Sequence, residues 1–231
     1  MTTASRPYVR LMATMSLLIA AAVLLTACNA GGGRKRDADG NLMPTARELD
    51  PAGTLYSDTV EEAEKGNCTP ESISVLTCFA YRGHGYEGAM ATLGQCFIRN
   101  GKAEDGVTWL ARAANGGWPD AQKALARIYL EGKNAPQNKI EAGAWANLYT
   151  KNPSLLSLGV QPDMSVSQKM RDELTAEERS EARRRSDAWS PAYWQPSDKL
   201  DAETAATCRV RTKKLYKKKT IDLIPSPDDN F

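Results

Sequence analysis

Cysteine is the residue type most able to do chemistry in this chain of 231 residues, and there are five of them. Apart from Cys28 these are Cys68, Cys78, Cys96 and Cys208. In an oxidising compartment four such thiols predict two disulfides, with buried free thiols as the alternative, since Cys78 and Cys96 fall in apolar slots. Pairing Cys68 with Cys78 is disfavoured, because a continuous helix would hold them about 15 Å apart at about 1.5 Å per residue. Two pairings stay open: Cys68–Cys96 with Cys78–Cys208, or Cys68–Cys208 with Cys78–Cys96. No Cys-x-x-Cys occurs, which argues against a redox enzyme, and a single histidine, His84, argues against a zinc site. His84 reads as an exposed turn residue with no fixed acid or nucleophile beside it. No Gly-x-Ser-x-Gly, phosphate loop or His-Glu-x-x-His appears. Glu177 and Glu178 open a helix, where carboxylates favour the dipole rather than acid–base work. The chain is therefore expected not to be an enzyme and to carry no cofactor and no metal.

Cys28 has a different setting. Arg6 and Arg10 precede an uncharged run from Leu11 to Ala27, the layout of an export signal. The run closes on Leu25-Thr26-Ala27-Cys28, which resembles the lipobox of bacterial lipoproteins. That resemblance implies cleavage before Cys28, acylation of its thiol, and a bilayer as one partner; two or more acyl chains anchor stably where one is marginal. Asn29 after the cysteine implies, by the same family's sorting pattern, the periplasmic face of the outer membrane. Two of the 30 basic residues lie in this leader, which leaves 28 against 28 acidic ones. A balanced chain gives no reason to expect nucleic acid.

The elements that position these groups are helical. Residues 28–66, with Gly31-Gly32-Gly33 and the charged Arg34 to Gly40 stretch, show no sustained apolar period and read as a flexible tether. Thr69-Pro70 then reads as an N-cap with proline in the first turn, opening a helix to Tyr81 with Ile73, Leu76, Thr77 and Ala80 on one face. Arg82-Gly83-His84-Gly85 stops it. Helices are expected over about 87–99, 103–115, 119–131 and 138–150. No segment alternates like a strand.

The helices repeat. At a shift of 32, Ala89, Leu93, Gly94 and Phe97 lie over Ala121, Leu125, Ala126 and Tyr129. At a shift of 36, Trp109 lies over Trp145, the extra residues falling in the loop Lys133 to Gln137. A period in the thirties built of two helices signals a tetratricopeptide-like solenoid. The pattern Ala-x-x-x-Leu-Gly-x-x-Tyr-x-x-Gly, a loop, then Ala-x-x-Trp resembles the Sel-1-like repeat family through Ala121, Leu125, Ala126, Tyr129, Gly132, Ala142 and Trp145. The earlier copy matches through Ala89, Leu93, Gly94, Phe97, Trp109, Ala113, Ala114 and Gly116. It departs at Gly106, an Ala slot, and at Phe97, a Tyr slot. The resemblance spans about residues 70–150, as two repeats plus the second helix of an incomplete earlier unit.

The expected fold is all-α: a short solenoid of stacked hairpins over 67–150, a capping helical segment over 151–195, and a basic helix and tail over 196–231. Thr175-Ala-Glu-Glu178 is a capping box, and Trp189, Tyr193 and Trp194 are candidates to cover the open end of the core. The family resemblance implies an adaptor that binds another envelope protein. Trp118, Tyr129 and Trp145 read as core, so the contact residues expected are Arg112, Gln122 and Arg127. The rival reading is an anionic polysaccharide or lipid bound by Arg183 to Arg185 and the run from Arg209 to Lys219.

Overall fold

The computed structural model describes residues 36–196 and 202–216 and divides the chain into a short unit ending at Leu49 and a main unit from Asp50 onward. Among the described residues of the short unit no side chain is buried. Its turn is organised by Asp37, whose carboxylate accepts from the Asp39 and Asn41 N–H groups at 3.0 and 2.8 Å. Beyond it, Thr45 and Glu48 cap a single helical turn, α1 (Ala46–Leu49).

The main unit is all-helical among the described residues, without strands. Its first hairpin joins α2 (Pro51–Glu64) to α3 (Pro70–Ala80). The next pairs are α4 (Glu87–Arg99) with α5 (Ala103–Asn115), then α6 (Pro119–Glu131) with α7 (Lys139–Thr150). Each helix packs on the next along the chain, giving a stack of hairpins. Local chemistry sets the starts. Asp50, Thr69 and Asn138 each accept an N–H three residues on, and Pro51, Pro70 and Pro119 occupy first-turn positions that need no donor. The main ends agree with the periodicity to within a residue or so.

Burial follows the repeat. Ala89 and Ala121, Leu93 and Leu125 are wholly buried, and Trp109 and Trp145 are both 7% exposed. The Gly106 departure has a packing reason. A Cβ on Gly94 would lie 2.7 Å from the Gly106 carbonyl oxygen, and one on Gly106 would lie 2.6 Å from that of Gly94. The two backbones touch here, so neither position tolerates a side chain.

The tether expected over 28–66 is too long. Pro51–Glu64 is helix and buries Ala52, Thr59 and Ala63. This helix packs on both α3 and α4, so the unit taken as incomplete is a full hairpin. The stack therefore has three hairpins, the number usually needed for a stable array.

The cap consists of α8 (Pro153–Ser157), α9 (Ser165–Glu173) and α10 (Ala176–Asp187), of which α9 and α10 pack on α7. Thr175 and Glu178 form the expected reciprocal capping box. Gly143 sits where α7 meets this cap: a Cβ there would lie 2.8 Å from that of Ala182.

From α10 the chain turns back along the stack. Ala192 N–H donates to the Asn115 carbonyl at 2.8 Å. Trp194 packs edge-on against Tyr81 and Trp109, with ring centres 5.5 and 5.3 Å apart. The last described helix, α11 (Ala202–Tyr216), lies on α2 and α3. Two disulfides close the arrangement, Cys68–Cys96 and Cys78–Cys208. Cys68 precedes α3 and Cys96 is on α4, so the first bond ties neighbouring hairpins. The second joins the end of α3 to α11, closing a loop that contains the second and third hairpins and the cap.

Candidate functional site

The first helices of the three hairpins line one groove. Tyr56 and Val60 of α2, Gly88, Ala91 and Thr92 of α4, and Lys123, Ala124 and Arg127 of α6 surround about 320 Å³, with Trp118 and Asp120 at one end and Glu64 and Gln95 among the rest. Small residues form the floor. The Tyr56 hydroxyl and the Trp118 ring converge over Gly88, where an added Cβ would lie 2.7 and 3.0 Å from them. Burial raises the Tyr56 hydroxyl above its ordinary pKa, with Tyr86, Glu64 and Glu87 adding to the effect, so it stays a neutral donor. Lys123 is held protonated, above its ordinary pKa, by its hydrogen bond to Asp163, 2.9 Å away. The groove thus offers an aromatic pair, a shallow floor and both signs of charge. It holds no nucleophile paired with a base.

Three residues were expected to face a partner, and they part company. Arg127 is exposed on this groove, 4.0 Å from Glu131. Arg112 lies elsewhere, in a cleft of about 660 Å³ beside the returning segment, its guanidinium 4.3 Å from the Trp109 ring centre and 4.4 Å from that of Trp194. Gln122 is 1% exposed and is not a surface residue. It donates to the Ala114 carbonyl at 3.3 Å and accepts from Asn152 at 2.9 Å. Its position signals this: it lies three and four residues before buried Leu125 and Ala126, on the same helical stripe.

Trp118 was read as core and is 38% exposed. The proline after it keeps Trp118 extended, at φ −71° and ψ 116°, outside the helix. Its ring therefore reaches the groove rather than the buried stripe. Trp145 is core as expected, and Tyr129 is half-buried.

His84 has an acid beside it after all. Its Nδ1 lies 2.8 Å from a carboxylate oxygen of Glu87, which is 8% exposed and also accepts the Gly85 N–H. The imidazole lies against Tyr193, ring centres 3.8 Å apart and planes tilted by 40°. Among the described residues no hydroxyl or thiol is hydrogen-bonded to the other ring nitrogen. No three His, Cys, Asp or Glu side chains gather as a metal site among the described residues.

Three members of the basic clusters are engaged among the described residues. Arg184 and Arg185 both bond Glu181, and Arg185 also reaches Glu141 at 3.2 Å. Arg211 meets Glu71 at 2.7 Å and Ser74 at 3.2 Å. Lys217 to Lys219, Cys28 and the leader lie outside the described residues. Among the described residues no helix is long and apolar enough to cross a membrane. No family model, no curated protein and no solved structure matches the chain.

Proposed function

We propose that this chain is a lipid-anchored envelope lipoprotein on the periplasmic face of the outer membrane, whose stacked hairpins dock another envelope protein in the groove of α2, α4 and α6. The observation that carries this reading is the exposed aromatic end of that groove. Trp118 is exposed over the Gly88 floor, and Tyr56 beside it is half-buried and held by the Phe79 and Tyr86 rings. Aromatic anchors beside small residues are what a protein interface uses at its centre. The Sel-1-like pattern and the lipobox-like Leu25 to Cys28 support the same reading.

The electrostatic rival draws less support, because Arg184, Arg185 and Arg211 already meet carboxylates and would have to leave them. The test is photo-crosslinking in intact envelopes from a reactive group placed at Trp118. One discrete protein adduct is expected, lost when Gly88 is replaced by Leu. Adducts with lipid or glycan alone would overturn the proposal. Replacing Cys28 by Ser should leave the chain unprocessed and off the membrane; unchanged processing and attachment would remove the anchor from it.

A further inference from the structure

Between α7 and α9 the main unit exposes an apolar tip that its own core does not use. Leu156 is 57% exposed, Leu158 76%, Val160 47% and Met164 54%. No residue from 152 to 162 is charged, in a chain where a quarter of the residues are. Four exposed apolar side chains within nine residues, interspersed with Ser157, Gly159, Gln161 and the Lys123-paired Asp163, mark a candidate contact surface.

The base of this loop is fixed. Asn152, 2% exposed, donates to the Gly117 carbonyl and to Gln122, both at 2.9 Å, and its own oxygen accepts the Ser154 N–H. At the far side the Asp163 N–H donates to the Tyr149 hydroxyl at 2.8 Å, while its carboxylate pairs with Lys123. Leu155 packs on the core and Pro162 is buried. The loop is therefore a rigid mount with its aliphatic side chains outward, and the cost of ordering it is already met within the fold.

We propose that this tip dips into the lipid bilayer and orients the tethered body; the proposal rests on the anchoring of Cys28 proposed above. Three observations select lipid as the occupant. The tip is aliphatic, without the aromatic or arginine anchors that dominate protein interfaces, where Leu and Val are under-represented. Exposed Lys169 and Lys151, the latter 3.9 Å from an equally exposed Asp187, flank it in sequence, within reach of anionic headgroups. Asp50 follows Cys28 by only 22 residues, so even fully extended the link reaches no more than about 80 Å and tethers the body to the bilayer once Cys28 is acylated. Acyl chains alone hold the body near the membrane without orienting it. Lys123 lines the docking groove and closes the loop through Asp163, so seating the tip would fix which way the groove faces.

The test uses the acylated full chain in vesicles of phosphatidylethanolamine and phosphatidylglycerol. Leu158→Cys carries an environment-sensitive fluorophore, Asp105→Cys on α5 serves as control, and flotation reports anchoring separately. The Leu158 probe should shift to the blue and be quenched severalfold more by brominated acyl chains than the control. Adding Leu156→Asp and Val160→Asp should abolish the difference while flotation and circular dichroism stay unchanged. Equal quenching at both sites in floating protein would overturn the proposal. If the chain does not float, the anchoring reading falls, and the same probe is read against excess vesicles: quenching keeps the tip as a lipid contact, and its absence removes it. A Leu158 site protected in native envelopes yet unquenched by vesicles would also overturn it, in favour of a protein partner.

Discussion

The hairpin stack and the segment that returns across it are held by opposite means. In the stack every helix packs on a neighbour close in sequence, with small residues letting backbones meet and Leu side chains filling the seams. Such an array is nearly one-dimensional, each unit stabilised by its neighbours. The returning segment, from Trp189 to α11, is fastened to residues far away in sequence. Asn115, Tyr81, Trp109, His84, Glu71 and Cys78 are among its fastening points. A solenoid with a covalent return behaves less like a chain of independent units and more like one cooperative body.

Breaking the two disulfides separately is the strongest way to test that contrast. Cys78–Cys208 joins residues 130 apart and Cys68–Cys96 joins residues 28 apart. Loop-closure entropy alone gives about 5 kcal/mol for the longer and about 3.5 kcal/mol for the shorter. Replacing Cys78 and Cys208 together by Ser should cost more in denaturant unfolding than replacing Cys68 and Cys96. It should also lower the hydrogen-exchange protection of α11 well before that of α4 to α7. An equal or smaller cost would mean that the return is fastened by packing instead.

Within the stack the expected losses are those of an ordinary core. Leu125→Ala leaves a cavity where a wholly buried side chain stood and should cost about 3 kcal/mol. Leu93→Ala, at the equivalent place one hairpin earlier, should cost a similar amount. A large difference between them, read from midpoints at constant m-value, would break the equivalence of the units.

These equivalent positions were legible in the sequence for a physical reason. Ala89, Leu93 and Gly94 recur as Ala121, Leu125 and Ala126 because each faces the same neighbour geometry. The helix α2 also carries the pattern, though weakly: at a shift of 37, Ala52, Tyr56, Ser57 and Val60 lie under Ala89, Leu93, Gly94 and Phe97. Its low overall hydrophobicity hides it among polar neighbours, so it reads as tether. The groove was harder to read: its lining recurs at the same shift of 32, Gly88, Ala91, Thr92 and Gln95 lying over Asp120, Lys123, Ala124 and Arg127, but the residue types differ between the copies. Trp118 looks like any buried aromatic until Pro119 is seen to hold it outside the helix. The disulfide pairing was open as well, since nothing local records that α11 comes back to α3.

Trp194 should matter less than the disulfide that follows it. Removing its ring takes away the edge contacts with Tyr81 and Trp109 and half of the stack around Arg112. Trp194→Ala should cost about 2 kcal/mol and raise exchange at Ala192, whose N–H is bonded to Asn115. If Ala192 keeps its protection, the strap is fastened elsewhere, and α11 with Cys208 becomes the whole of the attachment.

The smallest expected effect lies on the cap and depends on pH. Hydrogen bonds from Arg184 and then Arg185 lower the Glu181 carboxyl from an ordinary 4.5 to about 2. Its folded pKa is below its unfolded one, so the stabilisation is fully present above about pH 4.5. It is lost as the pH falls through the folded value near 2. Because Glu181 is open to solvent, salt and water screen the pair strongly and the gain is small. Arg185 also reaches Glu141 on α7, so protonation should loosen the seam between α7 and α10 rather than the return segment. Glu181→Gln should flatten the fall in melting temperature between neutral pH and pH 2 and make it less sensitive to salt. An unchanged acid slope in that variant would assign the acid sensitivity to other groups such as Asp163, whose carboxyl is lowered further by Ser165 and Lys123 at the base of the apolar loop.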